Sequence, residues 1–97
     1  MRLKIIKLTA FEKAVYQAVM DIPFGQTRSY KWVAQQIGSP LSARAVGSAL
    51  NKNPHAPYVP CHRVIASDGS LGGYSAGIKK KAYLLKREKA FVKQFIS

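Results

Sequence analysis

Between residues 11 and 19 the apolar positions fall at i, i+3, i+4, i+7 and i+8, as Phe11, Ala14, Val15, Ala18 and Val19. That spacing lays one stripe along a helix of 3.6 residues per turn and predicts an amphipathic helix over about Ala10 to Met20. Thr9 and Glu12 occupy the two ends of a capping box, in which each side chain satisfies a free amide of the first turn. Pro23 and Gly25 end the segment in a turn. Upstream, Leu3, Ile5 and Leu8 alternate imperfectly with basic residues. Arg2 to Leu8 therefore reads as either a short edge strand or an extended arm.

A second helix is predicted over Tyr30 to Ile37, capped by Ser29, with Trp32, Val33 and Ile37 apolar. Gly38-Ser39-Pro40 makes a short turn. A third helix then starts at Ser42 or the residue before it, reaches about Asn51, and is stopped by Asn53-Pro54. Two short helices around a tight glycine-containing turn outline a helix-turn-helix. Helical spacing turns Leu41, Ala45, Val46, Ala49 and Leu50 inward, and Arg44, Gly47, Ser48, Asn51 and Lys52 outward. Small residues around one long base would let a nucleic-acid backbone come close. An ordinary solvated face carrying one arginine fits the same spacing equally well.

Val59 to Ala66 predicts a strand, with Asp68-Gly69 turning the chain back toward Leu71. Gly72-Gly73-Tyr74-Ser75-Ala76-Gly77 suits either a binding loop that admits a ligand close to its backbone or a plain connector. From Ile78 a last helix carries Lys81, Leu84, Leu85, Phe91, Val92 and Phe95 on one stripe. Glu88 stands on that stripe between Leu84, Leu85, Phe91 and Val92. A carboxylate buried there needs a partner, and His62 or a base is the natural one. Lys79-Lys80-Lys81 and Lys86-Arg87 read as a solvated, partly phosphate-facing surface.

Composition narrows the class. With 97 residues, 47% of them hydrophobic, the chain makes one folded domain with a single core. Sixteen Lys and Arg against four acids give a formal charge of +12. Such an excess favours polyanions, and nucleic acid first. The bases are spread along the chain, which argues against a membrane-surface helix. One cysteine makes neither an intrachain disulfide nor a cysteine-type zinc site, and a reducing, cytoplasmic setting is expected. No stretch approaches a membrane span, and Ile5-Ile6 is too short for a signal peptide. No metal or organic cofactor is implied.

The candidate chemistry lies in Pro60-Cys61-His62-Arg63-Val64, where the single cysteine adjoins a histidine. A thiol becomes a useful nucleophile through a base or a positive neighbour, because the thiolate is the reactive form. On an extended strand adjacent side chains point to opposite faces, so His62 would meet the sulfur only if the backbone turned there. Pro60 offers such a turn. Taken bare, a cysteine in an apolar run is a small buried hydrophobe.

Together with Ile65 to Gly77, this segment resembles the active-site region of the O6-alkylguanine-DNA alkyltransferases. The resemblance runs upstream through Ile22-Pro23-Phe24-Gly25, Ser29-Tyr30, Ala43-Arg44-Ala45-Val46-Gly47 and Asn53-Pro54. It continues downstream through Lys81, Leu84-Leu85 and Glu88, and so covers roughly residues 11 to 88. It implies a mainly α fold with a small β component, a winged helix-turn-helix-like DNA-binding domain. It implies irreversible transfer of an alkyl group from guanine O6 in duplex DNA to Cys61. In the family pattern His62 activates Cys61 through a bound water, Glu88 orients His62, and Asn53 supports the local fold. Arg44 fills the stack vacated by an extruded base, with Gly47 and Ser48 close to the minor groove. Tyr30 helps rotate the nucleotide, Tyr74 and Ser75 form the pocket loop, and the carbonyls of Cys61 and Val64 accept from the guanine amine.

The chain departs from that pattern in two respects. It begins almost at the DNA-binding domain, whereas the usual transferases carry an additional N-terminal domain, and Lys89 follows Glu88 where glycine is common. One domain over residues 1–97 is therefore expected, as a monomer on double-stranded DNA containing O6-alkylguanine, with other repair proteins as further partners and no membrane. The rival reading is an alkyltransferase-like protein that binds the flipped lesion and recruits another pathway without transfer. Those relatives also lack the extra domain, but they typically lack the cysteine. A helix-turn-helix regulator with an inert thiol ranks last, since it leaves Cys61, His62 and Glu88 without purpose.

Overall fold

The computed structural model describes residues 8–52, 59–72 and 77–96, without the side chains of 94–96. Helix α1 spans Ala10–Met20, where the stripe places it. Thr9 accepts from the Glu12 amide at 3.0 Å, and the Glu12 carboxylate accepts from the Thr9 amide at 3.0 Å, so both halves of the capping box are made. Val15, Ala18 and Val19 are buried, with Phe11 packed against them. Tyr16, which the stripe omitted, is buried too, because its hydroxyl donates to the Ala49 carbonyl at 2.7 Å and ties α1 to α3.

Strand β1 is only Arg28–Ser29 and leads directly into α2, Tyr30–Gln36. Ser29 caps α2 by accepting from the Trp32 amide at 3.0 Å. Residues 37–42 turn the chain into α3, Ala43–Asn51, and the α2–turn–α3 unit packs across α1. Gly38 makes the turn at φ +74°, a conformation open to glycine. Val33, Ala34, Val46, Ala49 and Leu50 fill the core between these helices. Two residues expected to face inward do not: Leu41 is 99% exposed and Ala45 is also at the surface. Leu41 precedes the helix, so helical spacing does not apply to it, and Ala45 shares the outward side with Arg44 and Ser48.

The strand expected over Val59 to Ala66 is mostly a turn. Pro60, at φ −80° and ψ 60°, leads into a single 3₁₀ turn, Cys61–Arg63, and only Val64–Ile65 (β2) is extended. The Arg63 amide donates to the Pro60 carbonyl at 2.9 Å, which closes the turn. Strand β2 pairs in parallel with β1, Arg28 opposite Val64 and Ser29 opposite Ile65. Asp68-Gly69 does turn the chain, with Gly69 at φ +90° and the Ala66 amide bonded to the Ser70 carbonyl. Among the described residues it does not lead into another strand.

Helix α4, Ile78–Ile96, covers the remaining side. Its interior contacts are unusual. Among its described side chains the buried ones are Lys81 and Glu88, while Leu84, Leu85 and Val92 are half-buried and Phe91 is half-exposed. Lys81 is completely buried, which overturns its reading as part of a solvated lysine run. The expectations for Arg2 to Lys7, Asn53-Pro54, Tyr74-Ser75 and Phe95 fall outside the described residues or side chains.

Removing the cap should register in the stability of the whole domain, since α1 carries much of the core. Thr9→Ala is expected to lower the unfolding free energy by about 1 kcal/mol. Urea titration should show a lower midpoint at unchanged slope. An unmoved midpoint would mean that the box does not form in solution.

Candidate active site

Cys61 and His62 lie on a 3₁₀ turn rather than on an extended strand. Both are buried, at 3% and 2% exposure, where a continuous strand would have sent them to opposite faces. Cys61 carries no disulfide and packs within the apolar core. His62 directs Nε2 at Glu88 Oε2, 2.5 Å away, and its Nδ1 is also buried.

Glu88 meets four donors. Besides His62, Arg63 donates from Nε to Oε1 at 2.8 Å and from Nη2 to Oε2 at 3.1 Å, and the Gly25 amide donates to Oε1 at 3.3 Å. The partner required for a buried carboxylate is thus a histidine and a base together. Burial alone would raise the Glu88 pKa, but the hydrogen bonds from Arg63 and His62 prevail and hold it below the ordinary carboxylate value. For His62 the balance is reversed. Burial lowers its pKa, the Glu88 hydrogen bond and charge offset this in part, and the charges of Arg63 and Lys81 add to the lowering. At neutral pH the imidazole is therefore neutral and able to accept a proton.

A second polar centre lies two turns away on the same face of α4. The Lys81 ammonium donates to the carbonyls of Val64, at 2.6 Å, and Leu71, and reaches the Tyr30 hydroxyl at 3.4 Å. It also lies 5.6 Å from the centre of the Tyr30 ring. Burial lowers its pKa to about 8, while Cys61 pulls the other way. Burial, with a smaller contribution from Cys61, raises the pKa of Tyr30, so the phenol keeps its proton. Gly72, at φ +69°, leaves room for Tyr30, since a Cβ there would stand 2.5 Å from the hydroxyl. The close approach permitted by this glycine is to the protein's own tyrosine.

The other residues singled out in the sequence are distributed around these centres. Arg44 and Ser48 are exposed on α3, and Gly47 faces the Tyr30 ring, where a Cβ would come within 3.9 Å. Val64 is buried in β2, and its carbonyl already accepts from Lys81. Asn53, Tyr74 and Ser75 lie outside the described residues. Two grooves of about 360 and 400 Å³ flank Glu88, one lined by Phe24, Tyr83 and Phe91 and the other by Gly25, Leu85 and Lys89, and neither is lined by Cys61. Among the described residues no group of three or more His, Cys, Asp and Glu could hold a metal ion, and no helix is long and apolar enough to cross a membrane.

The contact of Arg63 with Glu88 and the burial of Lys81 do not follow from the pattern of residues alone. Arg63 was visible within Pro60-Cys61-His62-Arg63-Val64, and Lys81 stood on an apolar stripe, which was the available signal for burial. Gly25 gave no such signal. A Cβ at that position would stand 2.5 Å from the Val92 side chain, so this glycine allows the 22–25 loop to reach α4 and Glu88.

Comparison with known proteins gives this arrangement a context. The sequence model of the family described as 6-O-methylguanine DNA methyltransferase, DNA binding domain, matches residues 10–90. The chain is 54% identical over 80 residues to the methylated-DNA–protein-cysteine methyltransferase of Methanosarcina barkeri, covering 82% of this chain and 51% of that protein. It superposes with a TM-score of 0.84 on Mycobacterium tuberculosis OGT in complex with DNA, at 51% identity, covering 87% of this chain and 52% of the other. It also superposes at 0.76 and 35% identity on S. pombe Atl1 in complex with damaged DNA containing O6-carboxymethylguanine, covering 86% and 79% of the two chains. The chain spans about half the length of the curated relatives it matches.

The buried ammonium leaves a thermodynamic mark. Lys81 binds its proton less tightly folded, with a pKa of about 8, than at its ordinary value of 10.5. Between those values the unfolded chain holds more protons, so the contribution of Lys81 to stability rises with pH from about 8 upward. Urea midpoints measured from pH 7.5 to 9.5 should rise, and Lys81→Met should remove that rise. A rise of equal size in the variant would mean that another group causes it.

Proposed function

Because the chain belongs to the 6-O-methylguanine DNA methyltransferase family, through its DNA-binding domain, we propose that it repairs duplex DNA by moving an alkyl group from guanine O6 to Cys61. The observation that carries this reading is the buried Cys61-His62 turn, with the imidazole held 2.5 Å from Glu88 and its pKa lowered by burial. The thiol proton passes to His62, through an intervening water in the family pattern. The sulfur then bonds to the alkyl carbon as the carbon–O6 bond breaks, and the electron pair of that bond goes onto the purine. Hydrogen-bond donors stabilise the charge developing there. Tyr30, with the Lys81 ammonium beside its hydroxyl, is assigned as one such donor.

The target atom lies inside the base stack, so the nucleotide must first be extruded. Arg44, Gly47 and Ser48 on α3 are assigned to the minor-groove contact, with Arg44 filling the vacated stack. Asn53 is assigned to local support, and Tyr74 and Ser75 to the pocket loop. The formal charge of +12 supplies a sequence-independent attraction to phosphate. The likeness to S. pombe Atl1 supports a second reading, in which the lesion is bound without transfer. The presence of Cys61, buried and adjacent in sequence to the His62–Glu88 pair, favours transfer.

Incubation with duplex DNA containing O6-methylguanine, followed by mass analysis, separates the two. Transfer adds one methyl group, located on Cys61, and Cys61→Ala keeps DNA binding while abolishing the addition. Unchanged mass with lesion-selective binding would establish the second reading, and binding without lesion preference would defeat both. Arg44→Ala is expected to weaken lesion preference while leaving the thiol reactive toward small alkylating agents. An unchanged preference and rate would remove its assigned role. DNA affinity should also fall steeply between low and physiological salt.

A further inference from the structure

Arg63 is the charged group of the site to which the transfer reaction assigns nothing, yet its guanidinium is held at every nitrogen. Nε and Nη2 bond the two oxygens of Glu88 at 2.8 and 3.1 Å, Nη1 donates to the Ile22 carbonyl at 3.0 Å, and the planar group lies 5.3 Å from the centre of the Phe24 ring. Such a forked, stacked arrangement is specific to arginine and not reproduced by lysine. Glu88 Oε2 is shared, since it accepts from Arg63 and also meets His62 Nε2.

We infer that Arg63 is a positioning residue that keeps His62 in its proton-accepting form, by supplying through Glu88 the positive charge the histidine would otherwise acquire. A buried carboxylate requires an opposite charge close by. If His62 were its sole partner, the imidazole would take up a proton from solvent and form the ion pair itself. A histidine already protonated cannot receive the proton of Cys61. Arg63 is permanently charged, so it meets the demand of Glu88 without any proton being moved.

The charges around His62 are consistent with that role. Cys61 and Arg63 flank it on the same turn, Glu88 and Lys81 approach from α4, and Tyr30 belongs to α2 on the Lys81 side. Of the other acids, Asp21 and Asp68 are exposed and Glu12 is engaged in the α1 capping box. The site therefore sets one carboxylate against two cations besides the histidine, and the imidazole is the group that does without charge. Arg63 also fixes where the carboxylate stands, because Nη1 anchors the fork to the 22–25 loop, whose Gly25 amide donates to the same carboxylate.

The inference rests on His62 being the proton acceptor, and its test has one arm that needs no transfer. In the full chain, the imidazole titration of His62 is followed by NMR, with His55 as an internal reference. It is compared among the wild type, Arg63→Gln and Arg63→Lys. In Arg63→Gln the His62 titration should move to higher pH, and Arg63→Lys, which keeps the charge without the fork, should lie between. The second arm is the single-turnover transfer rate against pH on duplex DNA containing O6-methylguanine. Its acidic limb should move up with the titration, so that below the limb the rate falls about tenfold per unit of displacement and recovers in alkali. A folded Arg63→Gln protein with an unmoved His62 titration would overturn the inference. So would a rate reduced by one common factor at every pH, which is what a purely structural arginine would give. Should Arg63→Gln fail to fold, the Arg63→Lys titration decides: a displacement supports the inference and none overturns it. If the wild type transfers no methyl group at any pH, the repair function fails, and the titration arm alone judges Arg63.

Discussion

Helix α4 docks on the domain through two buried charges, and the site depends on how those charges are answered. Lys81 and Glu88 are seven residues apart, two turns of the helix, and so lie on one face about 10 Å apart along its axis. Neither can be left without opposite charge or hydrogen bonds in the interior. Glu88 is answered by His62, Arg63 and the Gly25 amide, and Lys81 by the carbonyls of Val64 and Leu71 with the Tyr30 hydroxyl. These partners include the side chains on either side of the candidate chemistry. Closing the helix over the core and assembling the site are therefore one physical event. Removing one member of such a buried pair costs about 3–5 kcal/mol, because its partner is left uncompensated.

The two ends of this helical face divide the chemistry of the proposed reaction. At the Glu88 end a carboxylate matched by Arg63 stands behind the imidazole, where a proton leaving a thiol would be received. At the Lys81 end positive charge stands behind a phenol that keeps its own proton, where electron density arriving on a purine would be met. The parallel pairing of β1 with β2 links the two, since β1 runs straight into Tyr30 and β2 follows directly from Arg63. A sheet of two residues per strand contributes little by itself. Its importance is geometric, in fixing how the tyrosine helix sits relative to the cysteine turn.

Much of this was legible in the chain. The stripe and capping box placed α1, Ser29 placed α2, and the isolation of Glu88 among apolar residues announced a buried carboxylate with a partner. What escaped shares one character. Arg63 reaches Glu88 across 25 positions, Lys81 reaches Tyr30 across 51, and Gly25 meets Glu88 across 63. Local periodicity cannot encode such pairings. Lys81 belongs both to a lysine run, which suggests solvent, and to an apolar stripe, which suggests burial, and the stripe prevails. The strand expected across Cys61 failed for a different reason. Its β-branched and apolar composition indicated burial correctly, but Pro60 turned the backbone, so that both neighbouring side chains are buried. Leu41 shows the converse error, a helical rule extended to a residue before the helix begins.

Cys61 belongs to the apolar core, in the same cluster as Val33, Val46 and Val64. Under the proposed reaction its sulfur becomes a thioether, and new carbon enters an interior that is already close-packed. Inserting even one extra methylene into such an interior costs about 1–3 kcal/mol, with larger groups demanding more displacement. A protein that had acted once would then be lastingly different from one that had not. Its record of service would be written as crowding in its own interior, graded by the size of the adduct it removed.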